Sequence, residues 1–399
     1  MGFSHADLLK SSIWVIFVTS CVFVICYICY FVLVGAPLRD LREITQADYV
    51  AYLTGAEVLM RGEGRRLYDL GFQGRVVDSF FATGYPGTLP YLTLPFVAVM
   101  FVPFTYLTVE TGYKIFFVIN LLVLAWGTVK FGQLFGEVRR LKGWWLLPFA
   151  SLYFIRTVAF GQISTFLLFG VLYLYQYLIN RDDFRAGMAT GVLLLKPQLL
   201  VFVPFLVLLS KRRAVYVLGF LLVSMVLLVV SMFISGADFY RDYFILLQST
   251  HTESELLRSG VVIMYSLFAL IEIMFPSLGL IGRYGINFLV YFVAFVIFAA
   301  FYKKFKRPDN PIFFAIALIF SVVFCVHIYL HDMLLLLIPV FVCFNKYLSE
   351  RDWRYLLAGG GVYFLPYLGE HRFTPYFSLL LLFVGAALLK LESYEWKRK

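Results

Sequence analysis

Four positions in this chain have residue types and settings from which chemistry can be built. Asp48 follows the first apolar stretch in a polar segment, and Lys196 lies inside an apolar run. Gln162 stands between two apolar runs, and His331-Asp332 ends another. A carboxylate can take a proton, an ammonium or imidazole group can hold an anion, and an amide can bind a hydroxyl group. Each position also has a purely structural interpretation.

The Asp48 segment has helical spacing. Asp48, Tyr52, Gly55 and Leu59 follow one another at intervals that place them on one face of a helix. Such a face would present a carboxylate and a phenol to a cleft at the water boundary. Equally, Asp48 is explained as a surface residue or a helix cap on a solvated loop.

Lys196 is the charged residue of the apolar run 186–209 and precedes Pro197. An ammonium group in such a run is costly unless it meets water or an anion, so it is a functional candidate. A phosphate is a natural partner for a lysine. The structural interpretations are a side chain that reaches the interface and an internal ion pair.

The later polar positions leave alternatives open. His327 and His331 are four residues apart and would share a helical face, and with Asp332 they invite a metal interpretation. Asp332 is also explained as a helix cap, and His331 as a hydrogen-bond donor to a phosphate. Gln162, after Gly161, either binds a sugar hydroxyl or closes a turn.

Composition places these groups in a membrane protein. The chain has 399 residues, of which 61% are hydrophobic and 15% charged, whereas roughly a quarter of a soluble domain is charged. Its mean hydropathy is +0.84. Several runs reach the ~20 apolar residues that cross a bilayer. We therefore expect an all-α fold, a polytopic transmembrane helical bundle of about 10–13 membrane segments with a helical first outer loop.

Basic residues occur in short clusters between apolar runs, and they account for the net charge of +10. This is the pattern of positive-inside topology, and it argues against nucleic-acid binding. If all clusters are cytoplasmic, Asp48, Gln162 and His331 lie together on the extracytoplasmic side. A single span over 186–209 would break that parity, so Lys196-Pro197 predicts two half-helices that meet at a break. The run 89–108 contains three prolines and is expected to be interfacial or re-entrant.

We expect one integral-membrane domain over 1–399. Its parts are an anchor span (13–34), a first extracytoplasmic loop (35–88), a helical bundle (89–390) and a cytoplasmic tail (391–399). The five cysteines lie in apolar runs without metal-ligand spacing and are interpreted as small buried hydrophobes. The chain has no phosphate-binding loop, nucleophile elbow or dinucleotide fingerprint.

The order of these motifs resembles a known family. The motifs are Asp48-Tyr-x-x-Tyr-x-x-Gly, Leu67-Tyr68-Asp69, Tyr85-Pro86, Phe160-Gly161-Gln162, Lys196-Pro197-Gln198 and His331-Asp332. Over roughly residues 13–345 the chain resembles the polyprenyl-phosphate-sugar-dependent integral-membrane glycosyltransferases of glycosyltransferase family 87, which have the GT-C architecture.

The resemblance implies inverting transfer of mannose, or a related sugar such as arabinose, from a polyprenyl-phosphate donor to a hydroxyl group of a lipid-linked or cell-envelope glycan. The active site would face outward from the cell inner (cytoplasmic) membrane, among membrane lipids and without nucleic acid. Asp48 would be the general base, and Lys196 and His331 would hold the donor phosphate. The other substrate-binding residues implied are Tyr52, Tyr68, Tyr91, Gln162, Gln198 and Asp332. No cofactor or metal is implied.

The chemistry agrees with this interpretation. Inverting transfer requires a carboxylate that takes the acceptor proton and a stabilised leaving group opposite it. Lys196 and His331 would replace a metal by electrostatic stabilisation of the leaving phosphate. The alternatives are a transporter or flippase of lipid-linked sugars, since broken helices and intramembrane charges mark transporters too, and another class of membrane transferase.

Overall fold

The structure is a computed structural model, and it describes residues 48–81, 89–253, 264–305, 310–368 and 374–398. The described residues form helices and turns and contain no strand, which confirms the expected all-α class. The anchor span 13–34 and the Tyr85-Pro86 motif lie outside the described residues, as do Cys21, Cys26 and Cys29.

The described part of the first loop is helical, as predicted. Its elements are α1 (Asp48–Met60), a 3-10 turn (Gly64–Arg66) and α2 (Leu70–Phe80). Asp69 starts α2, because its carboxylate accepts a hydrogen bond from the Phe72 N–H at 3.0 Å. Most side chains of α1 are buried, so this helix is a packed element rather than part of a solvated loop.

The proline-containing run 89–108 forms short helices. They are α3 (Pro95–Phe101) and a 3-10 helix (Val102–Tyr106). Pro95 lies in the first turn of α3, where its missing N–H costs nothing. The run is shorter than a full span, in agreement with the interfacial or re-entrant expectation. Thr108 then caps the long helix α4 (Val109–Leu134) by accepting from the Thr111 N–H at 3.2 Å.

The apolar run 143–160 is divided into pieces. It contains a 3-10 turn (Trp144–Leu146), α6 (Leu147–Ala150) and α7 (Leu152–Ala159), after the one-turn α5 (Gly136–Arg139). Ser151 interrupts the path with an extended backbone and caps α7 through the Phe154 N–H at 3.3 Å. This cap restarts the helix within the run. Helix α8 (Ser164–Ile179) follows the Gly161-Gln162 turn.

The predicted break at Lys196 is present. The segment comprises α9 (Asp183–Thr190), two 3-10 helices (Gly191–Leu195, Pro197–Phe202) and α10 (Val203–Leu209). Lys196 separates the 3-10 helices with φ −138° and ψ 87°, which are not helical values. The buried Asp183 carboxylate accepts from the backbone N–H groups of Lys211 and Arg212 at 3.1 and 2.8 Å. The two basic flanks of the segment therefore lie together, as a re-entrant hairpin requires.

The remaining elements complete the bundle. They are α11 (Arg213–Ser235), α12 (Phe239–Glu253), α13 (Leu267–Met274), α14 (Leu280–Phe305), α15 (Pro311–Phe324), a 3-10 helix (Asp332–Leu336), α16 (Leu337–Glu350), α17 (Trp353–Phe364), two 3-10 turns (Leu365–Leu368, Thr374–Tyr376) and α18 (Phe377–Arg398). Helix α18 continues through the expected tail, and the buried Glu392 accepts from the Tyr355 hydroxyl at 3.0 Å. Residues 391–398 are thus helical.

In the part of the chain that the structure describes, five helical stretches are long and apolar enough to cross a membrane. They are Val109–Leu134, Arg213–Ser235, Leu280–Phe305, Asp332–Glu350 and Thr374–Tyr394. Four shorter apolar helices accompany them within the described residues: Pro95–Tyr106, Ser164–Ile179, Pro197–Leu209 and Pro311–Phe324. The expectation of 10–13 segments already allowed for interfacial runs, and within the described residues caps and prolines divide several of the apolar runs.

Burial separates the centre of the bundle from its periphery. The apolar window of Asp332–Glu350 is 72% buried, whereas those of α11 and α14 are each only 11% buried. Helices α15 and α16 therefore form the centre, and the long outer helices turn apolar side chains to the lipid. The connection between α15 and α16 carries His331 and Asp332 into this centre.

The even-crossing argument predicts opposite sides for two exposed loops. In a cysteine-free background, Glu63→Cys should react with an impermeant thiol reagent on intact cells, because the even-crossing argument predicts that the end of α1, which Glu63 follows, lies on the extracytoplasmic side. Lys142→Cys should react only after the membrane is permeabilised, since it belongs to a basic cluster. Both side chains are exposed. Equal labelling of the two variants on intact cells would contradict this topology.

Candidate active site

The start of α1 packs against the turn at 160–162. The Tyr49 N–H donates to the Phe160 carbonyl at 3.2 Å. Gly161 has φ 61°, and a Cβ atom there would lie 2.6 Å from the Tyr49 Cβ, so both the backbone conformation and the close approach require glycine. This contact places Asp48 beside Gln162.

Gln162 links Asp48 and Tyr52, which lie one turn apart on α1. The Tyr52 hydroxyl donates to the Gln162 Oε1 at 2.8 Å, and the Gln162 side chain is also hydrogen-bonded to the Asp48 carboxylate. The Tyr52 ring stacks on Phe101 with centroids 4.8 Å apart, which fixes the phenol. Asp48 and Tyr52 therefore share a helix face, as their spacing predicted.

The surroundings of Asp48 change its acidity. Burial raises the pKa of this carboxyl to about 6 and outweighs the lowering by the Lys196 charge and by the Gln162 hydrogen bond. The negative charge of Asp332 raises the pKa further. A carboxylate with such a pKa is ionised at neutral pH and is a stronger base than an ordinary aspartate.

Lys196 meets an internal anion. Its ammonium group forms an ion pair with the Asp332 carboxylate, and both side chains are buried. The Ser164 hydroxyl donates to Asp332 Oδ1 at 3.4 Å, and the Tyr329 N–H donates to Oδ2 at 3.2 Å. Of the interpretations left open by the sequence, the structure contains the internal ion pair. The protein itself occupies both Asp332 oxygens.

His331 lies in a loop rather than on a helix. Residues 325–331 connect α15 to the 3-10 helix Asp332–Leu336, so the prediction that His327 and His331 share a helical face is wrong. The helix ends at Phe324, because Cys325 adopts an extended backbone. The Thr157 hydroxyl donates to the His331 carbonyl at 3.1 Å. Within the described residues, no three His, Cys, Asp or Glu side chains are arranged to hold a metal ion.

The His331 ring lies next to the ion pair and next to Phe160, which follows the C-terminal end of α7. Its Nε2 atom lies 3.5 Å from Asp332 Oδ2, and its ring centroid is 5.7 Å from that of Phe160. Burial lowers the pKa of His331 to about 3. The imidazole is therefore neutral at physiological pH, and it can donate or accept a hydrogen bond but carries no charge.

Three other predicted residues lie apart from this cluster. The Tyr68 hydroxyl donates to the Thr93 carbonyl at 2.8 Å, and the Tyr91 hydroxyl donates to the Leu94 carbonyl at 2.6 Å. The first bond joins the connection between α1 and α2 to the segment before α3, and the second is internal to that segment. Gln198 is half-buried in the 3-10 helix that follows Lys196. The structure thus groups Asp48, Tyr52, Gln162, Lys196, His331 and Asp332.

Sequence reasoning missed residues that complete the cluster. Ser164 and Tyr329 both bind the Asp332 carboxylate, and the positive charge of Arg156 lowers the pKa of His331. Arg156 is the charged residue between the basic cluster at 139–142 and the Gly161-Gln162 turn. A charged residue within an apolar run is a functional candidate, and this rule, which singled out Lys196, also singles out Arg156. Tyr329 is half-buried between two histidines in sequence, and its role depends on the loop conformation.

The fold and the cluster define a polytopic membrane protein. Its buried site combines two carboxylates, an ammonium group and an imidazole. Residues 92–328 match the sequence model of glycosyltransferase family 87. Since the match covers more than half of the chain, the protein belongs to this family and is a glycosyltransferase. No curated protein and no solved structure matches it. Gln162 and Lys196 lie inside the matched segment, whereas Asp48, His331 and Asp332 lie outside it.

The buried pair predicts a non-additive effect on stability. Lys196→Met or Asp332→Leu alone should destabilise the protein by about 3–5 kcal/mol, because each leaves a buried charge without its partner. The double variant should be closer to wild type than either single variant. Thermal unfolding of the purified protein in detergent measures this, and a double variant whose loss equals the sum of the single losses would refute the coupling.

Proposed function

We propose that this glycosyltransferase inverts the anomeric centre as it transfers a sugar, mannose or a relative such as arabinose, from a polyprenyl-phosphate donor to a hydroxyl group of a lipid-linked or cell-envelope glycan. Asp48 is the general base. The observation that carries the proposal is a carboxylate with a pKa of about 6 that lies beside the buried Lys196–Asp332 pair. In this proposal, the reaction takes place on the extracytoplasmic face of the inner membrane.

The proposed step is a single displacement. The acceptor oxygen attacks the anomeric carbon while its proton passes to the Asp48 carboxylate. The bond from the anomeric carbon to the phosphate oxygen breaks, and its electron pair stays on the phosphate. The donor phosphodiester, with one negative charge, becomes a monoester with two. Asp48 then releases its proton to solvent, which a pKa near 6 permits at neutral pH.

Lys196 and His331 are proposed to bind the donor phosphate. An ammonium group has three N–H donors, so Lys196 retains hydrogen-bonding capacity while paired with Asp332. That pairing fixes the position of the ammonium group beside the leaving oxygen. His331, neutral and next to the same carboxylate, supplies a directed N–H. Stabilisation of the second phosphate charge in a dry site lowers the barrier.

The residues outside this cluster have a supporting part in the proposal. Gln162 holds the base and Tyr52 in position. Asp332 acts through Lys196 and His331 rather than by touching the substrate. Tyr68, Tyr91 and Gln198 remain proposed contacts of the acceptor or of the lipid chain. The Tyr91 ring packs against Gly55 of α1, and the Tyr68 hydroxyl binds the segment before α3.

Removal of the base should abolish transfer. Asp48→Asn retains size and hydrogen bonding but cannot accept the proton, so kcat should fall by roughly 10²–10⁴-fold. The measurement is the release of polyprenyl phosphate and the formation of a new glycoside, with purified protein, labelled donors and candidate acceptors.

Asp78→Asn is the matched control, because Asp78 is an exposed acid on α2. This variant should retain wild-type turnover. If Asp48→Asn also retained it, Asp48 would not be the base. If the wild-type protein moved a labelled lipid across a vesicle membrane without forming a glycoside, the transferase proposal would fail in favour of a flippase.

The pKa of Asp48 predicts the acid limb of the pH profile. Since the base must be ionised, kcat/KM should fall about tenfold per pH unit below pH 6. The Gln162 hydrogen bond lowers the pKa of Asp48, so Gln162→Leu should move this limb to higher pH. Tyr52→Phe retains the bond between Gln162 and Asp48 and should leave the limb in place. If the acid limb of Gln162→Leu stayed at the wild-type pH, Asp48 would not be the group whose ionisation causes that limb.

A further inference from the structure

Tyr329 is held firmly in the loop between α15 and the 3-10 helix Asp332–Leu336. Its backbone N–H donates to the Asp332 Oδ2 atom at 3.2 Å. Its ring lies between two imidazoles, 4.7 Å from that of His327 at an interplanar angle of 87° and 5.7 Å from that of His331. The side chain is therefore fixed by contacts on both sides, and it belongs to the same wall of the site as the ion pair.

The Tyr329 hydroxyl group is available for a ligand. The side chain is half-buried, and none of the described residues hydrogen-bonds to this hydroxyl. Burial raises the pKa of Tyr329 well above its usual range, and the charges of Asp48 and Asp332 raise it further. The phenol thus stays protonated, and it is near enough to both carboxylates for their charges to act on it.

The position of Tyr329 on the wall that carries Asp332 and His331, with Asp48 also within electrostatic reach, points to the sugar. In an inverting displacement, the anomeric carbon lies between the acceptor oxygen, which is next to the base, and the leaving phosphate oxygen. Asp48 marks the first of these places, and Lys196 with His331 marks the second. Neither end needs another donor from Tyr329, whereas the sugar between them has hydroxyl groups that a phenol can bind as donor and acceptor.

We propose that the Tyr329 hydroxyl binds one hydroxyl group of the transferred sugar and thereby selects among sugars. This inference rests on the proposed function. A site that hydrogen-bonds a substrate hydroxyl discriminates strongly against the analogue that lacks it, because the protein group is then left unpaired. Tyr329 is in this sense a specificity residue and not an acid or base.

The test removes the hydroxyl oxygen of Tyr329 from the protein and one hydroxyl oxygen from the sugar. Tyr329→Phe is compared with wild type on polyprenyl-phosphate donors in which each sugar hydroxyl in turn is replaced by hydrogen. With the complete donor, kcat/KM of the variant should fall by roughly 10-fold. One deoxy donor should lower the wild-type kcat/KM similarly but cause no further loss in Tyr329→Phe, because both changes remove the same hydrogen bond.

The controls separate this inference from the proposed function. Tyr347→Phe removes a hydroxyl from a buried tyrosine near the other end of α16, and it should behave as wild type with every donor. If wild type turns over the complete donor but the effects of Tyr329→Phe and of every deoxy donor simply multiply, or the variant equals wild type, the inference is overturned. If wild type turns over no polyprenyl-phosphate sugar, the proposed function itself fails.

Discussion

The buried ion pair between Lys196 and Asp332 is the interaction on which the arrangement of the site depends. An ammonium group in an apolar interior is tolerated only with an anion beside it, and here the anion comes from a residue 136 positions later in the chain. The pair joins the break in the re-entrant hairpin to the loop between the two central helices. Ser164 and the Tyr329 N–H complete the hydrogen bonding of the carboxylate, so the charge is both neutralised and oriented.

A second constraint brings the proposed base to this pair. Helix α1 can approach the turn at 160–162 only because Gly161 has no side chain and accepts a positive φ. The Tyr49 N–H and the Gln162 amide then hold the start of α1 from two directions. Since Gln162 contacts Asp48 and Ser164 contacts Asp332, one turn between two helices connects both ends of the site.

These two constraints have a common energetic consequence. The site contains two carboxylates and one ammonium group within a buried region, and the Asp48 carboxyl responds with a pKa of about 6. An ordinary aspartate on a wet surface would be too weak a base to take a proton from a hydroxyl group efficiently. The packing that excludes water around α1 therefore also tunes the group that the proposed reaction needs.

Local rules were enough to predict several features from the amino-acid sequence. Hydropathy predicted the membrane class, helical spacing predicted that Asp48 and Tyr52 share a face, and Pro197 predicted the break at Lys196. Each of these depends on a residue and its near neighbours in the chain. The tertiary structure decided the rest, because it depends on distant segments: the choice of Asp332 as partner for Lys196, the raised pKa of Asp48, and the placement of Tyr329 beside Asp332 and His331. No spacing rule encodes which loop meets which helix in the interior.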